Sequence, residues 1–301
     1  MKSVTDPARA DSGDGPSVEG RRLRVVHRTH YEYSTPVSES FNEARLQPVT
    51  HDGQECHHFL LKILPATQLR HYRDFYFNWV QYFEVNPSHP ALFIEASSVV
   101  TTAPRRAGLG NVAFPVARLA ECLRIEQCYD FLQMSRNVSL DVPVWKLAQD
   151  AAGGVADAWA AALTIMGFIH RGFAYDAEAT TVNTHMLEVL ELRRGVCQDF
   201  AHLMTGMCRA LKIPARYVSG YIYNGPADQL RGAQASHAWV EVFLPGHGWL
   251  GLDPTNNQPP DGRYVKLAVG RDYADAAPVR GSFKGAAEQR LQVELEITPA
   301  E

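Results

Sequence analysis

Cys197 stands in the stretch GVCQDFAH (195–202), and Phe200, Leu203, Met204, Met207 and Leu211 recur behind it at helical spacing until Pro214 ends the run. The cysteine therefore falls in the first turn of a helix, where unpaired N–H groups and the macrodipole favour an anion. A thiol attacks a carbonyl as its thiolate, and the free cysteine pKa of about 8.5 must fall for that form to be plentiful at neutral pH. Gly195 permits a sharp backbone turn just before it.

A nearby imidazole can take the thiol proton to make an ion pair. Of the twelve histidines, His237 is the best placed, at the start of the strand-like SHAWVEVFL. Asp253 ends the next strand-like segment, WLGLD, and can fix the ring tautomer by accepting from the far nitrogen. Taken singly, each has an ordinary explanation: a core cysteine, a structural histidine, a turn aspartate before proline. Their joint placement, in the order Cys, His, Asp, outweighs those explanations. One geometric difficulty stands against it. A simple four-residue PGHG loop pairs Leu244 with Trp249, which sets Asp253 opposite Val240 and on the other face from His237. A shared face requires a turn displaced by a residue or two, or a bulge near Gly246, Gly248 or Gly251.

The elements that must position these groups are legible in outline. Residues 1–20 are polar and rich in Gly, Pro, Ser and Asp, which predicts a disordered tail. Residues 21–105 hold four segments rich in β-branched and aromatic residues, RLRVVHRTHYEYS, HHFLLKILPA, FYFNWVQYFEV and ALFIEASSVVTT. They predict an antiparallel β-sandwich or strongly twisted sheet. Residues 106–150 read as a helical connector, with helices over PVARLAECLRIEQCYDFLQMS and DVPVWKLAQDAA. Residues 151–260 form the core, in which Trp159, Leu163, Met166 and Ile169 give a helical stripe ahead of the cysteine-bearing helix. A loop and strand over 261–301 complete an α+β fold.

Composition bounds the partners. Hydrophobic residues make up 46% and charged residues 21%, and the formal charge is −4 without a dense Lys/Arg run. This predicts a globular protein that binds neither nucleic acid nor membrane. No apolar run reaches the roughly 18 residues of a membrane span, and the N-terminus lacks a secretory signal. Five cysteines without CxxC spacing read as reduced thiols in a cytoplasmic protein. His27 and His30 fall on opposite faces of a strand, and no acidic loop cluster suggests calcium, so no metal or cofactor is expected. Cys208 reads as core, and Arg271, Asp272 and Asp275 as a surface ion-pair loop.

The blocks RRGVCQDFAHLMTGMCRALKIPARYVSGYI, SHAWVEVFLPGHGWLGLDPTN and FAYD resemble those of the bacterial transglutaminase-like family, whose core belongs to the papain-like cysteine hydrolase superfamily. The likeness extends to VVHRTHYEYSTPVSESFNEARLQP upstream and GRDYADAAPVRGSFKG downstream, over roughly residues 22 to 296. One departure is Phe77-Asn78, where the family pattern leads one to expect Gly-Asn. The resemblance implies a papain-like transglutaminase core, a helix packed on an antiparallel sheet, behind the β-rich domain. It assigns Cys197 as nucleophile, His237 as base and Asp253 as orienting acid, the roles that the local argument reaches separately.

For the oxyanion site the Cys197 N–H is the first donor. Some relatives use a glutamine upstream as the second, but Glu191 stands six residues before Cys197, so Tyr175 in FAYD is taken instead. Gln198 and Trp239 are placed with Tyr175 around the substrate cleft, and Asp199 is assigned to the helix N-terminus. The chemistry implied is acyl transfer through a thioester on peptide or side-chain amides, with hydrolysis favoured. The alternatives are amine transfer and a catalytically silent peptide-binding module.

Overall fold

The computed structural model describes residues 20–51, 53–181, 184–225, 230–232 and 236–300; the tail expected over residues 1–20 lies outside them except for Gly20. Strand β1 (Arg21–Ala44) buries Leu23, Val25, His27 and Thr29 at alternate positions. Four antiparallel strands follow: β2 (Gln54–Leu64), β3 (Leu69–Arg73), β4 (Trp79–Val85) and β5 (His89–Thr102). They lie in the order β2-β5-β1-β4-β3. Register shifts between Glu32 and Val37, and Glu39 has φ 46°. The first half of β1 therefore pairs with β5 and its last residues with β4. This bend curls the sheet around Ile63, Phe83, Val85, Leu92 and Ile94. Strand β3 lies between HHFLLKILPA and FYFNWVQYFEV and belongs to neither of these expected segments.

The connector departs from expectation. Residues 116–132 form short 3-10 turns, Val116–Arg124, Glu126–Cys128 and Asp130–Leu132, with extended backbone at Ile125 between the first two. Here Leu119, Cys122, Cys128, Phe131 and Leu132 point into the core at spacings that one long α-helix cannot satisfy. The second segment is helical, as α1 (Val142–Ala152), and α2 (Ala158–Gly172) follows with Asp157 capping it through Ala160 N at 2.8 Å. Then come β6 (Ala174–Tyr175), α3 (Met186–Leu192), β7 (Arg194–Gly195) and α4 (Cys197–Ala210). The stripe on α4 suggests one buried face, yet every residue from Cys197 to Arg209 is buried. Packing on α1, α2, α3 and a sheet encloses the helix all round.

That sheet comprises β8 (Ala215–Ile222), β9 (His237–Leu244), β10 (Gly248–Leu252) and β11 (Tyr264–Gly270), in the order β10-β9-β8-β11. A short helix α5 (Tyr273–Ala276) and strands β12 (Val279–Lys284) and β13 (Gln289–Pro299) end the chain. The segment 261–301 thus divides: β11 extends the core sheet beyond residue 260, while β12 and β13 pair with β1. Among the described residues, no helix is long and apolar enough to cross a membrane.

The outer edge of β11 would carry unpaired backbone groups. Two side-chain amides from the β-rich region take the place of a neighbouring strand. Gln54 gives its Nε2–H to Lys266 O at 2.8 Å and accepts from Lys266 N at 2.7 Å. Asn78 does the same with Val269, at 2.7 and 2.8 Å. Phe77, where glycine was expected, has φ 63° and is 78% exposed, so the left-handed turn that presents Asn78 is kept at a cost in strain.

Candidate active site

The β9–β10 connection resolves the difficulty of register. Leu244 pairs with Gly248, not Trp249, and Leu252 lies opposite Val240. The loop has three residues, with Gly246 at φ 83° and Gly248 at φ 74°, a backbone conformation that glycine adopts without strain. The displacement by one residue carries Asp253 to the face of His237.

His237 Nε2 lies 2.9 Å from Asp253 Oδ2, and both side chains are fully buried. Four further hydrogen bonds hold the carboxylate. Asn256 Nδ2 and Tyr264 OH donate to Oδ2, each at 2.8 Å, and the backbone N–H groups of Thr255 and Asn256 donate to Oδ1 at 2.8 and 3.2 Å. Burial pushes the Asp253 pKa up, but the His237 charge and these donors outweigh it and leave the group below its ordinary value. The Asp-Pro-Thr-Asn turn carries Asn256 back over Asp253, and the turn chemistry of that motif was the available signal. Tyr264 comes from β11, and its spacing in the sequence gave no such signal.

The other ring nitrogen of His237, Nδ1, is turned to the Cys197 thiol rather than to Asp253. It and the Cys197 sulfur flank one point in space: a Cβ built on Gly232 would sit 2.7 Å from Nδ1 and 3.7 Å from Sγ. Burial opposes charging of His237, yet Asp253 and Cys197 together prevail and push its pKa up to about 10. Trp239 stacks on His237 at 6.2 Å between ring centroids and meets Tyr264 edge-on at 5.5 Å. Gly220 makes room for that indole, since a Cβ there would lie 2.5 Å from Trp239 Cη2.

Cys197 opens α4 behind Val196. Asp199 Oδ2 accepts from Val196 N at 2.8 Å and from Thr180 Oγ1 at 2.6 Å, so its carboxyl serves the helix start. Burial pushes its pKa up against those two donors. Gly195 is needed for space rather than for an unusual backbone angle, because a Cβ there would lie 2.6 Å from Asp199 Oδ2. The parallel pairing of Tyr175 with Gly195 sets Tyr175 beside this entrance.

Cys197, His237, Tyr175 and Gln198 share a cavity of about 500 Å³ with Tyr217, Ser219, Arg231, Ser236 and Tyr273. Trp239 lies outside this cavity and walls a separate crevice with Glu241 and Trp249. It supports the histidine from behind. Burial and the neighbouring Cys197 push the Tyr175 pKa up to about 12, which keeps its hydroxyl protonated at neutral pH. Tyr273 is held by its backbone N–H, which donates to His202 Nε2 at 3.1 Å. Burial pushes the His202 pKa down to about 4, so the ring stays neutral and able to accept.

The remaining residues read from the sequence divide by environment. Cys208 is fully buried and its thiol is pushed up to about 12. Arg271 pairs with Asp275 at 2.8 Å, whereas Asp272 is buried and caps α5 through Ala274 N. His27 is buried against Tyr221 OH at 3.0 Å, while His30 is partly exposed.

Comparison with known proteins matches two family descriptions. Residues 146–254 match the transglutaminase-like superfamily, and residues 23–101 match the bacterial transglutaminase-like N-terminal region. An uncharacterized protein of Mycobacterium tuberculosis is 35% identical over 97% of this chain and 98% of its own length. A protein-glutamine gamma-glutamyltransferase of Pseudomonas aeruginosa is 34% identical over 39% of this chain and 19% of its own. A crystal structure of a candidate cysteine protease from Cytophaga hutchinsonii has the same fold, with TM-score 0.74 and 23% identity over 95% of this chain and 93% of that one.

Proposed function

Since the chain belongs to the transglutaminase-like superfamily and carries the bacterial N-terminal region ahead of its core, we propose that it is a cysteine-dependent acyl-transfer enzyme that hydrolyses amides of peptides or protein side chains. The observation that carries this reading is His237, buried, with Asp253 on Nε2 and the Cys197 thiol beside Nδ1. A proton shared between that thiol and Nδ1 gives a thiolate and an imidazolium.

The thiolate attacks the amide carbonyl, forming a C–S bond and an oxyanion. The Cys197 N–H, at the unpaired end of α4, and the Tyr175 hydroxyl are the donors for that oxygen. The oxyanion collapses, the C–N bond breaks, and the Nδ1 proton leaves with the amine. Water then adds to the thioester with its proton passing to Nδ1, the C–S bond breaks, and acid and thiol are released. Asp253 holds the imidazolium through Nε2 in both halves. Cytoplasmic placement fits the five cysteines, all of which are free thiols.

A second reading replaces water with a primary amine. It is favoured by the likeness of the core to the gamma-glutamyltransferase of P. aeruginosa. Mass spectrometry of a peptide library, with and without added amine, separates the readings. Cleavage or deamidation that is lost in Cys197→Ala supports hydrolysis, and amine adducts support transfer. Peptide binding with no Cys197-dependent product leaves the silent binding module.

A further inference from the structure

We propose that the cavity selects an acyl group that carries a carboxylate close to the scissile amide, and that Arg231 is the residue that recognises it. This rests on the reading of Cys197 as the nucleophile. The groups around the thiol are mostly hydroxyls, those of Tyr175, Tyr217, Ser219, Ser236 and Tyr273. Among the described residues lining the cavity there is no carboxylate, and Arg231 is the one permanent cation. Two acids beside the reacting pair are engaged elsewhere: Asp199 accepts from Val196 and Thr180, and Asp253 lies behind His237.

The Arg231 guanidinium is exposed and forms no ion pair with a described residue. Its backbone, by contrast, is fixed. Arg231 N donates to Asn256 Oδ1 at 2.9 Å, and Asn256 Nδ2 donates back to Arg231 O at 3.3 Å. Leu230 is held in the same way by Asn224, at 2.8 and 3.1 Å. The same Asn256 side chain binds Asp253, so the strap that carries Arg231 is registered to the reacting groups. The next residue, Gly232, borders the gap between Sγ and Nδ1, which sets Arg231 one residue from the reaction. Its charge acts across the cavity, opposing the rise in the Tyr175 pKa.

A guanidinium with no ion pair to a described residue, in a pocket where no described lining residue is a carboxylate, attracts anions and forms charge-assisted, often bidentate, hydrogen bonds with carboxylates. A neutral amide can accept a hydrogen bond from it but gains less, because it carries no charge. A carboxylate on a glutamate side chain or at a chain end satisfies the same chemistry.

The test needs no knowledge of the natural substrate. Iodoacetate and iodoacetamide both alkylate a thiolate with loss of iodide, and differ in charge. Their rates at Cys197, read by mass spectrometry of the modified peptide, give a ratio that reports the local potential. His237 contributes equally in all variants. Arg231→Glu is expected to lower the iodoacetate-to-iodoacetamide ratio by about 10-fold or more, and Arg231→Lys to retain most of it. Equal ratios in wild type, Arg231→Glu and Arg231→Lys overturn the proposal. If both reagents react only as with an ordinary thiol, the nucleophile reading fails, while the ratio still decides the role of Arg231. A second arm compares peptide amides that bear the carboxylate on a glutamate side chain or at the chain end. Arg231→Glu should raise KM for the preferred acidic peptide with little change in kcat, and an unchanged preference counts against the assignment.

Discussion

His237 and Asp253, sixteen residues apart, meet at 2.9 Å on one face of the core sheet because a three-residue turn displaces β10 by one position from simple four-residue pairing. That contact, with the thiol beyond it, raises the His237 pKa to about 10. A histidine raised on folding stabilises the protein fully below its unfolded value of about 6.5, and this stabilisation is lost as pH rises from there through about 10. In Asp253→Asn the largest charge favouring the imidazolium is gone. The alkaline limb of kcat/KM should move down from near pH 10 by more than one unit, and the rate should fall by about 10²-fold or more. An unchanged limb would separate Asp253 from the titration of His237.

Tyr264 gives a graded version of the same experiment. Its hydroxyl is one of five donors on Asp253, and it holds the indole behind His237. Tyr264→Phe keeps the ring and removes the donor, which should cost about 1–2 kcal/mol of stability because a buried carboxylate loses a partner. Activity should fall by less than in Asp253→Asn. Denaturant titration and the pH profile, measured together, separate the two effects.

Gly232 borders the space that a leaving group must occupy. Its φ is 80°, and a Cβ would lie 2.7 Å from His237 Nδ1. Gly232→Ala should therefore lower kcat/KM by about 100-fold or more through misplacement at the reacting pair. Gly108→Ala is the control, since Gly108 has φ 76° but open space around the added atom. It should lose only the roughly 1–2 kcal/mol of left-handed strain and keep full activity. Equal activity in the two variants would show that the Gly232 contact is without consequence.

The trio was legible as types and order, because a helix-start cysteine and the ends of two strands are local patterns. Its register was not, since a one-residue difference in a turn inverts every side chain and the two left-handed glycines that set it act only in three dimensions. Supporting residues such as Tyr264 and Tyr273 lie on elements far along the chain, and spacing carries no sign of such contacts. Trp239 was placed around the cleft, but its ring stacks behind the histidine, where Gly220 leaves room. The connector misled because a helix was expected after the Pro/Gly break, whereas its buried residues, Leu119, Cys122, Cys128 and Leu132, do not share one helical face. Residues 261–301 were assigned without β11 as a core strand, because pairing with β8 is long-range.

Phe77 offers a prediction about stability alone. It occupies the left-handed region at φ 63° with most of its ring in solvent, so little burial is forfeited on truncation. Left-handed backbone costs a residue with a Cβ about 1–2 kcal/mol, and glycine recovers that while losing about 0.5–1 kcal/mol to the greater freedom of its unfolded chain. Phe77→Gly should thus stabilise the protein by up to about 1 kcal/mol, seen as a higher denaturation midpoint at unchanged m-value. The neighbouring Asn78 sets the opposite case. Its amide is buried and bonds both backbone groups of Val269 on the edge of β11, so Asn78→Ala strands a buried N–H and C=O together. A loss of about 2–4 kcal/mol is expected. Equal midpoints for the two variants would mean that the docking of Asn78, rather than strain at Phe77, has been misjudged as the dominant contribution of this turn.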